Sequence, residues 1–481
     1  MADRYDLVIL GSGSTAFAAA ITATELGKRA VMTEVRTVGG TCVNRGCLPS
    51  KNLIEAARLL HDARHPRYPG LTGRDLGLDV RHLIAQKDEA IAAFRAKKYL
   101  DIFEEGRQVP IVAGQARFLD AHTVAVDGPQ GTTRLEGEQI LVALGSSPAI
   151  PAIAGLPDVP YLTSDLLTSQ EDLELTDLPG SLIVIGGGYI AVELGQMFSR
   201  LGPTVTILAR SARLLSAHEP EIGLALGDIL RAEGLDVRTR VEVRRVRCDG
   251  DGVAVTALVD GTEREVRAAR LLVATGRTPN TVHIGLEDVG VRVDGRGAIV
   301  VDEHLRTTVP HIWAAGDVIG TEQDSQMATP VGAHDGGIAA HNALSGEALR
   351  RIDHRVIPRA VFTDPQVAVV GMTQEEAIAA SHSCWCNTIP LELVPRAGAI
   401  HDTRGVIKMV ADAETNAVLG VSMLGVNAAE VIHEAAMGLR FHATIDDFIG
   451  LLHVYPTMAE ALKIVAISRY KDPGKLSCCA E

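Results

Sequence analysis

Two cysteines five residues apart, Cys42 and Cys47, are the first candidates for chemistry in this 481-residue sequence. They follow the glycine pair Gly39-Gly40 and precede Pro49-Ser50-Lys51, after which residues 52–57 have a helical pattern. A helix N-terminus carries partial positive charge, so a thiol placed there loses its proton more easily. We therefore expect one of the two sulfurs to be a stable thiolate at neutral pH and the pair to form a redox-active disulfide.

A zinc half-site and a pair of unrelated buried thiols are the alternative interpretations of these two cysteines. Structural zinc sites favour cysteines about two to four residues apart, and they need a second pair of ligands. No second pair is visible near residues 42–47. The redox pair is therefore the favoured interpretation.

The start of the chain has the pattern of a dinucleotide-binding unit. An apolar strand leads into a turn of the form Gly-x-Gly-x-x-Ala at residues 11–16 and then into an alanine-rich helix. Gly11 and Gly13 permit a tight turn against a pyrophosphate at the helix N-terminus, and the small Ala16 lets the helix pack on the strand. Glu34 ends the next apolar stretch, about where an acid binds ribose hydroxyls. A glycine-rich turn without a ligand is the alternative.

A second unit of the same kind begins in the middle of the chain. The apolar strand at residues 181–185 is followed by Gly186, Gly188 and Ala191 at the same spacing, and then by a helix. Two strand-glycine-helix units in one chain predict two dinucleotides. A flavin that is reduced by a nicotinamide fits that prediction.

The residues after the next strand select between the two nicotinamide dinucleotides. Arg210 and Arg213 follow the strand at residues 204–208, and no acidic residue stands beside them. An acid would bind the free 2'-hydroxyl of NAD, whereas arginines suit a 2'-phosphate. The sequence therefore predicts NADPH.

Together these segments resemble the pyridine nucleotide-disulfide oxidoreductases, a family of flavoenzymes. The dinucleotide motif, the glycine pair, both cysteines and the Pro-Ser-Lys run occur in the family's order, and the resemblance covers nearly the whole chain. It implies FAD in the first unit, NADPH in the second, and a homodimer whose active sites are shared between subunits. The implied fold class is α/β, with two Rossmann-like domains, the NADPH domain inserted in the FAD domain, and an α+β C-terminal dimerisation domain.

The resemblance also predicts the domain limits, and three prolines between residues 148 and 157 mark a linker. The predicted divisions are residues 1–150 for the first part of the FAD domain, 151–276 for the NADPH domain, 277–345 for the second part of the FAD domain, 346–466 for the dimerisation domain, and 467–481 for a flexible tail.

Several residues receive catalytic roles from the family pattern. Tyr189 covers the nicotinamide pocket, and Glu193 pairs with Lys51 close to the flavin. A cation near the ring would stabilise the anionic reduced flavin. Cys47 is the cysteine nearer the flavin, and Cys42 faces the substrate. Without the family context, Glu193 is a solvated helix residue and Tyr189 a packing residue.

Other residues receive cofactor-binding roles from the same pattern. Asp317 follows Ala-Ala-Gly in a segment that resembles the second FAD motif, where the aspartate bonds the ribityl chain. A helix cap or turn acid is the alternative for it. The remaining predicted contacts to the dinucleotides are Gly40, Thr41, Gly145 and Gly276.

The segment at residues 453–460, His-Val-Tyr-Pro-Thr-Met-Ala-Glu, bears on the substrate. In disulfide reductases of the family a histidine directly precedes the Pro-Thr, and a glutamate orients it as acid-base catalyst. Tyr455 occupies that position here. A tyrosine, with an ordinary pKa of about 10, is a poor proton shuttle at neutral pH, so reduction of a dithiol substrate should be crippled. His453 is two residues away, and we do not expect its ring to point to the same place.

The chain ends in Cys478 and Cys479, after a Pro-Gly segment that loosens the tail. Neighbouring thiolates on a mobile tail can capture a soft cation and pass it on by ligand exchange. The alternatives are a strained vicinal disulfide, a poorly matching prenylation box, and a redox relay of the thioredoxin reductase kind.

Tyr455 and the two terminal cysteines together resemble the family members that reduce mercuric ion. The sequence therefore predicts reduction of Hg(II), delivered as thiol complexes, to Hg(0) by NADPH through FAD. The predicted metal ligands are Cys42, Cys47, Cys478 and Cys479. A dihydrolipoyl dehydrogenase-like or other disulfide reductase is one alternative, and a metal-binding flavoprotein without turnover is another.

Composition limits the partners and the compartment. The formal net charge of -14 argues against nucleic acid or an anionic membrane as partner. We find no apolar run of membrane-spanning length and no signal peptide, and we expect a cytoplasmic protein. Many relatives carry an N-terminal metal-trapping domain, whereas this sequence starts at its FAD strand, so delivery of the metal is expected from small thiols or another protein.

Overall fold

The computed structural model describes residues 3–103, 109–167, 176–321 and 325–477. Its helices are α1 (Ser14–Glu25), α2 (Gly40–Arg45), α3 (Cys47–Arg64), α4 (Val80–Arg95), α5 (Tyr189–Leu201), α6 (Pro220–Ala232), α7 (Thr329–Leu344), α8 (Gln374–Ala379), α9 (Pro395–Ala399), α10 (Ala428–Arg440), α11 (Ile445–Gly450) and α12 (Glu460–Ile467). Within these ranges, no helix is both long and apolar enough to cross a bilayer.

The strands of the first half are β1 (Asp3–Leu10), β2 (Ala30–Glu34), β3 (Ile111–Ala113), β4 (Gln115–Phe118), β5 (Thr123–Gly128), β6 (Gly131–Val142), β7 (Ser146–Pro148), β8 (Ser181–Ile185), β9 (Thr204–Leu208) and β10 (Asp236–Arg238). Those of the second half are β11 (Val241–Asp249), β12 (Gly252–Val259), β13 (Thr262–Ala268), β14 (Arg270–Val273), β15 (Arg277–Pro279), β16 (Ile312–Ala314), β17 (Arg359–Val361), β18 (Gln366–Gly371), β19 (Cys384–Pro390), β20 (Val406–Asp412) and β21 (Val418–Gly425).

The first sheet has the strand order β3-β2-β1-β6-β5-β4, and β16 pairs with β6. Strand β1 is parallel to both β2 and β6. The stretch Leu7–Leu10 is fully buried and packs in one core with residues of α1 and α7. A parallel strand that is buried on both faces has a continuous apolar sequence. This strand was therefore predictable from the sequence.

The second unit repeats the plan on a smaller scale. Its four parallel strands have the order β10-β9-β8-β14, and a three-stranded antiparallel sheet, β11-β12-β13, packs nearby. The strands predicted at residues 181–185 and 204–208 are β8 and β9.

The chain then returns to the first unit. Strand β15 pairs antiparallel with β7, and β16 joins the first sheet beside β6. Segments on either side of the second unit therefore share one sheet.

The C-terminal part forms a five-stranded antiparallel sheet in the order β17-β18-β21-β20-β19. Helices α10 and α12 pack on it in a separate core. The fold class predicted from the sequence is confirmed: two Rossmann-like units are followed by an α+β domain.

A buried ion-pair cluster joins the second unit to the C-terminal sheet. Arg200, in α5, donates to Glu233 at 2.8 Å and lies 2.9 Å from an oxygen of Asp364. Arg404 bridges the same two carboxylates from the C-terminal side. Burial alone would raise the pKa of Asp364, but the charges of the two arginines bring that pKa below its ordinary value.

Candidate active site

The two cysteines lie on consecutive helices. Cys42 is in α2 and is half-buried, whereas Cys47 is the first residue of α3 and is exposed. Gly46 separates the helices with φ -119° and ψ -110°, which ends one helix and allows the next to start in a new direction. The expectation that a cysteine stands at a helix N-terminus therefore applies to Cys47.

The environment divides the two thiols into a proton donor and a thiolate. A hydrogen bond with Cys42 lowers the pKa of Cys47, and the positive charge of Lys51 and the hydroxyl of Thr329 lower it further, so that it falls to about 6 although surrounding protein atoms partly desolvate the thiol. The same hydrogen bond, together with burial, raises the pKa of Cys42. Thr329 Oγ1 lies 3.9 Å from Cys47 Sγ. At neutral pH Cys47 is therefore the better nucleophile.

Lys51 is held by a carboxylate of the second unit. Its Nζ donates to Glu193 Oε2 at 2.7 Å, and the other carboxylate oxygen accepts from the backbone N–H of Phe362 at 2.8 Å. Lys51 Nζ also lies 4.8 Å from the centroid of the Phe362 ring. Glu193 is thus buried between two donors, and Lys51 keeps a fixed position one helical turn after Cys47.

The glycine turn of the first unit is closely packed. Gly11 has φ +114°, and a Cβ at that position would overlap the carbonyl of Ala143. A Cβ on Gly40 would lie 2.7 Å from the Cα of Gly13, so the turn after β1 and the start of α2 meet through two residues without side chains. Ala16 is fully buried. The backbone N–H groups at the start of α1 are left open to an anionic ligand.

Glu34 ends β2 beside this turn. Its carboxylate accepts from Ser12 Oγ at 2.5 Å and from the backbone N–H of Arg36 at 2.6 Å. A carboxylate has about four acceptor positions, so two remain for ribose hydroxyls. Ser12, which the sequence analysis did not single out, occupies the variable position of the glycine motif.

A second polar network lies at the end of β6. Ser146 Oγ donates to Asp317 Oδ2 at 2.6 Å and accepts from Arg277 Nε at 2.7 Å. Gly145 precedes this serine with φ +67°, and Gly276 precedes the arginine with φ +132°. Asp317 is therefore oriented by residues from two distant segments.

The glycine turn, Glu34 and Asp317 line one cleft that opens to solvent. The predicted first-unit residues on its wall are Gly11, Gly13, Glu34, Gly40, Thr41, Cys42, Gly145 and Asp317. Its walls include Cys42 but not Cys47. The cleft suits an extended dinucleotide such as FAD. The start of α1 and the glycine turn can bind the pyrophosphate, and Glu34 can bind the ribose.

The second unit has its own turn, with Gly186 at φ +138° and Tyr189 as the first residue of α5. Gly188 is the N-cap of that helix, and Ala191 is fully buried. The side chain of Arg210 is exposed beyond β9. Arg213 donates to the carbonyls of Ser216 and His218, at 3.0 and 3.2 Å. The predicted NADPH contacts thus belong to one turn and one loop.

The structure separates His453 from Tyr455. The imidazole of His453 is buried, and its Nε2 lies 2.9 Å from Glu434 Oε1 in α10. The side chain of Tyr455 is about half exposed. Glu460, which in disulfide reductases would orient a histidine, accepts from the backbone N–H of Thr457 at 3.0 Å. The ring of His453 faces its own domain, in agreement with the sequence-based expectation.

Among the described residues, no group of three or more His, Cys, Asp or Glu side chains could hold a metal ion. Cys478 and Cys479 lie outside those residues. The Cys42 and Cys47 thiols are the described part of the predicted metal set.

Three residues that contact predicted site residues were not identified from the sequence. Thr329 and Phe362 reach Cys47 and Glu193 from segments 282 and 169 residues away. His218 stacks on Tyr189 from the loop after β9. No local pattern marks any of them.

The fold and the cysteine pair define a class of protein, and comparison with known families agrees. The family model described as "Pyridine nucleotide-disulphide oxidoreductase" matches residues 5–343, and that family's dimerisation domain matches residues 357–466. The chain belongs to this family. Two Rossmann-like units with the cleft described above make it a flavoprotein oxidoreductase that uses FAD and NADPH.

Full-length relatives narrow the resemblance. The chain is 42% identical to a mercuric reductase of Staphylococcus aureus, covering 99% of this chain and 84% of that protein. It is 44% identical to a mercuric reductase of Streptomyces lividans, covering 99% and 98%. Among solved structures, a Cu(II) complex of the HOCl-induced flavoprotein disulfide reductase RclA from Escherichia coli matches with a TM-score of 0.85 and 32% identity over 98% of this chain and all of that one.

Proposed function

We propose that this protein reduces Hg(II) to Hg(0) with electrons from NADPH, carried through FAD. The observation that supports this most is a thiol pair in which Cys47 has its pKa lowered to about 6, while the position of a catalytic histidine holds Tyr455. Thiolates are the ligands that soft cations prefer. Mercuric reductases at 37–44% identity over nearly the full chain support the same substrate.

The first unit binds FAD in this proposal. Glu34 accepts hydrogen bonds from the ribose, the start of α1 binds the pyrophosphate, and Asp317 bonds the ribityl chain. Bound FAD supplies the transfer of an electron pair from NADPH to the metal site. Lys51 is held in position by Glu193. Its positive charge would stabilise the negative charge that the flavin gains on reduction.

The second unit binds NADPH. Arg210 and Arg213 receive the 2'-phosphate, because guanidinium groups pair with phosphate through charge-assisted hydrogen bonds. Tyr189 stands at the N-terminus of α5 and covers the nicotinamide position until the cofactor enters.

Hg(II) arrives as a complex with two thiolates and is exchanged onto the protein. Cys47 attacks first because it is ionised at neutral pH, and the displaced thiolate takes a proton from Cys42 or water. Cys42 then displaces the second ligand. The bound ion gains two electrons, both protein–mercury bonds break, and the two cysteines are left reduced as Hg(0) departs. No proton is consumed by the metal, so an imidazole base is unnecessary.

The assignment of Cys47 as the cysteine nearer the flavin follows the family pattern. The lowered pKa of Cys47 supports this assignment, because the Lys51 ammonium stabilises the Cys47 thiolate. A thiolate and a cation are both expected beside the flavin ring. Cys42 lines the cleft and Cys47 does not. The two thiols are hydrogen-bonded to each other from neighbouring helices, so they act as one site.

The proposal includes a homodimer. The chain carries the family's dimerisation domain, and the segment before α12 exposes Leu452 by 85% and Val454 by 78% beside Tyr455. Apolar side chains exposed in a group are typical of an interface. The partner subunit's Tyr455 would then donate a hydrogen bond at the metal site, and the partner subunit's Cys478 and Cys479 would deliver the ion. A supply of NADPH and reduced thiols suits the cytoplasm.

A disulfide reductase is the competing function, since the matching solved structures are of a flavoprotein disulfide reductase. Against it, the only histidine of the segment, His453, is bound to Glu434. The purified yellow protein, given NADPH and Hg(II) in excess small thiol, should oxidise NADPH and release mercury vapour. Rapid reduction of oxidised lipoamide or glutathione without vapour would favour the competitor, and metal retention without NADPH oxidation would favour a binding protein.

A further inference from the structure

Tyr189 lies beside a side chain of the second unit, His218, and one of the C-terminal sheet, Arg359. Its ring is parallel to that of His218, with 5.4 Å between centroids and 3° between planes. Burial raises the pKa of its phenol, and the nearby positive charge of Arg359, in β17 of the C-terminal sheet, partly offsets that rise. Burial, followed by the charge of Arg359, lowers the pKa of His218 to about 4, so a neutral imidazole stacks on the phenol.

The loop after β9 carries both His218 and Arg213, the predicted 2'-phosphate contact, and the two residues are hydrogen-bonded. Arg213 donates to the carbonyls of Ser216 and His218 itself. Its Nε is buried and has no hydrogen-bond partner among the described residues. A buried donor without a partner is unfavourable, so this arrangement does not use the full bonding capacity of the guanidinium.

Both ends of the loop are fixed. The N–H of Leu215 donates to the carbonyl of Gly187 in the glycine turn, at 2.8 Å. At the other end, Glu219 accepts from the buried Lys408 at 2.8 Å and from the N–H of Gln374 at 2.7 Å. His218 lies between these two anchors, and its own N–H donates to the carbonyl of Leu215 at 2.9 Å.

We infer that His218 is a positioning residue that makes the opening of the Tyr189 gate depend on the 2'-phosphate of the bound nucleotide. This inference rests on the proposed use of NADPH. A phosphate dianion is a stronger acceptor than a backbone carbonyl, so Arg213 exchanges its two carbonyl bonds for the phosphate. The released carbonyl of His218 lets its ring leave Tyr189, and the phenol can then swing away from the nicotinamide position.

The coupling has a thermodynamic requirement. A ligand shifts a conformational equilibrium only by its difference in affinity for the two states. NADPH has that difference because it carries the phosphate that competes for Arg213, whereas NADH lacks it. Discrimination between the two cofactors therefore appears in the limiting rate of hydride transfer as well as in binding.

The first test follows flavin reduction by NADPH and by NADH in a stopped-flow spectrometer, without mercury. In His218→Ala the Tyr189 ring has no stacking partner, so its opening no longer depends on the 2'-phosphate. The ratio of the limiting rate of flavin reduction with NADPH to that with NADH should then fall about tenfold from the wild-type ratio. The affinity for NADP+ should change less than about twofold. His218→Phe keeps a stacking ring and should restore the wild-type ratio. An unchanged ratio in His218→Ala, or equal behaviour of the two variants, would overturn the inference.

A second readout needs no turnover. Tyrosine iodination of the FAD-loaded enzyme, mapped by peptide mass, reports exposure of Tyr189, which is 39% exposed with the gate closed, with the 53% exposed Tyr470 as internal reference. Adenosine 2',5'-bisphosphate should increase labelling of Tyr189 about twofold, and adenosine 5'-monophosphate should leave it unchanged. Arg213→Met should abolish the increase. Labelling that both nucleotides leave unchanged would refute the coupling.

The two proposals fail separately. If mercury is not reduced but the bisphosphate still opens the gate, the proposed substrate is wrong and the coupling stands. If mercury is reduced and the gate does not respond, only the coupling is wrong.

Discussion

Lys51 Nζ lies 2.7 Å from Glu193 Oε2, so the cation beside the two cysteines is held by a carboxylate of the second nucleotide-binding unit. Lys51 belongs to α3, four residues after Cys47, and Glu193 belongs to α5, four residues after Tyr189. One ion pair therefore connects the thiolate with the helix that begins at the predicted nicotinamide gate.

Replacing Lys51 by methionine should raise the pKa of Cys47. The ammonium charge lowers that pKa, and loss of a nearby opposite charge typically shifts a pKa by about one unit or more. The rate of alkylation by iodoacetamide, measured against pH on the NADPH-reduced enzyme with peptide mapping, gives the value directly. The alkylation profile of Cys47 should move to higher pH, and the exposed Lys97→Met is the matched control that should not move it.

Glu193→Gln should move the same profile in the other direction. The carboxylate raises the pKa of Cys47, so removing its charge while keeping an acceptor for the N–H of Phe362 lowers it. A rise in the pKa of Cys47 in this variant would mean that the carboxylate acts mainly by holding Lys51 in place.

Thr329→Val should raise the pKa of Cys47 without any change in charge. The hydroxyl lies 3.9 Å from the sulfur and favours its thiolate, but it ranks below Lys51 among the causes. We expect a smaller shift than in Lys51→Met, read from the same alkylation profile. Thr329→Ser, which keeps a hydroxyl, should behave as wild type, and equal shifts for valine and serine would point to packing instead.

Arg200→Met should destabilise the protein by about 3 kcal/mol, because it leaves Glu233 and Asp364 buried with one cation fewer. Arg238→Met is the control, since its pair with Asp236 is partly exposed and contributes less than about 1 kcal/mol. Guanidinium unfolding of the FAD-loaded enzyme, followed by circular dichroism, measures both. Equal losses for the two variants would show that burial of the cluster is unimportant.

The double variant Cys478→Ser/Cys479→Ser should lose activity mainly when mercury is supplied with a large excess of small thiol. Under that condition the ion must be captured by ligand exchange before it reaches the inner pair. The matched control is Cys384→Ser/Cys386→Ser on β19, whose thiol pKa values are raised by burial. The KM for mercury, measured at high and at low thiol concentration, distinguishes the tail variant from the control. If the control were as impaired as the tail variant, the tail cysteines would have no specific role in delivery.

The sequence predicted those parts of the structure that local pattern encodes. The strand before Gly11, the acid at the end of β2 and the helix start at the cysteines all follow from residues within one short segment. Thr329, Phe362 and His218 were missed because tertiary packing brings them to the site from other segments. The roles of Lys51 and Glu193 came from family resemblance alone, since nothing in their spacing relates residues 142 positions apart.

The most direct test of the central claim compares mercury vapour released with NADPH oxidised in the wild type, Cys42→Ser and Cys47→Ser. Serine keeps the shape of the site but removes one soft ligand and, at position 47, the thiolate. The proposed function predicts equal amounts of Hg(0) and oxidised NADPH in the wild type and no mercury-dependent oxidation in either variant. Undiminished vapour from Cys42→Ser or Cys47→Ser would contradict it.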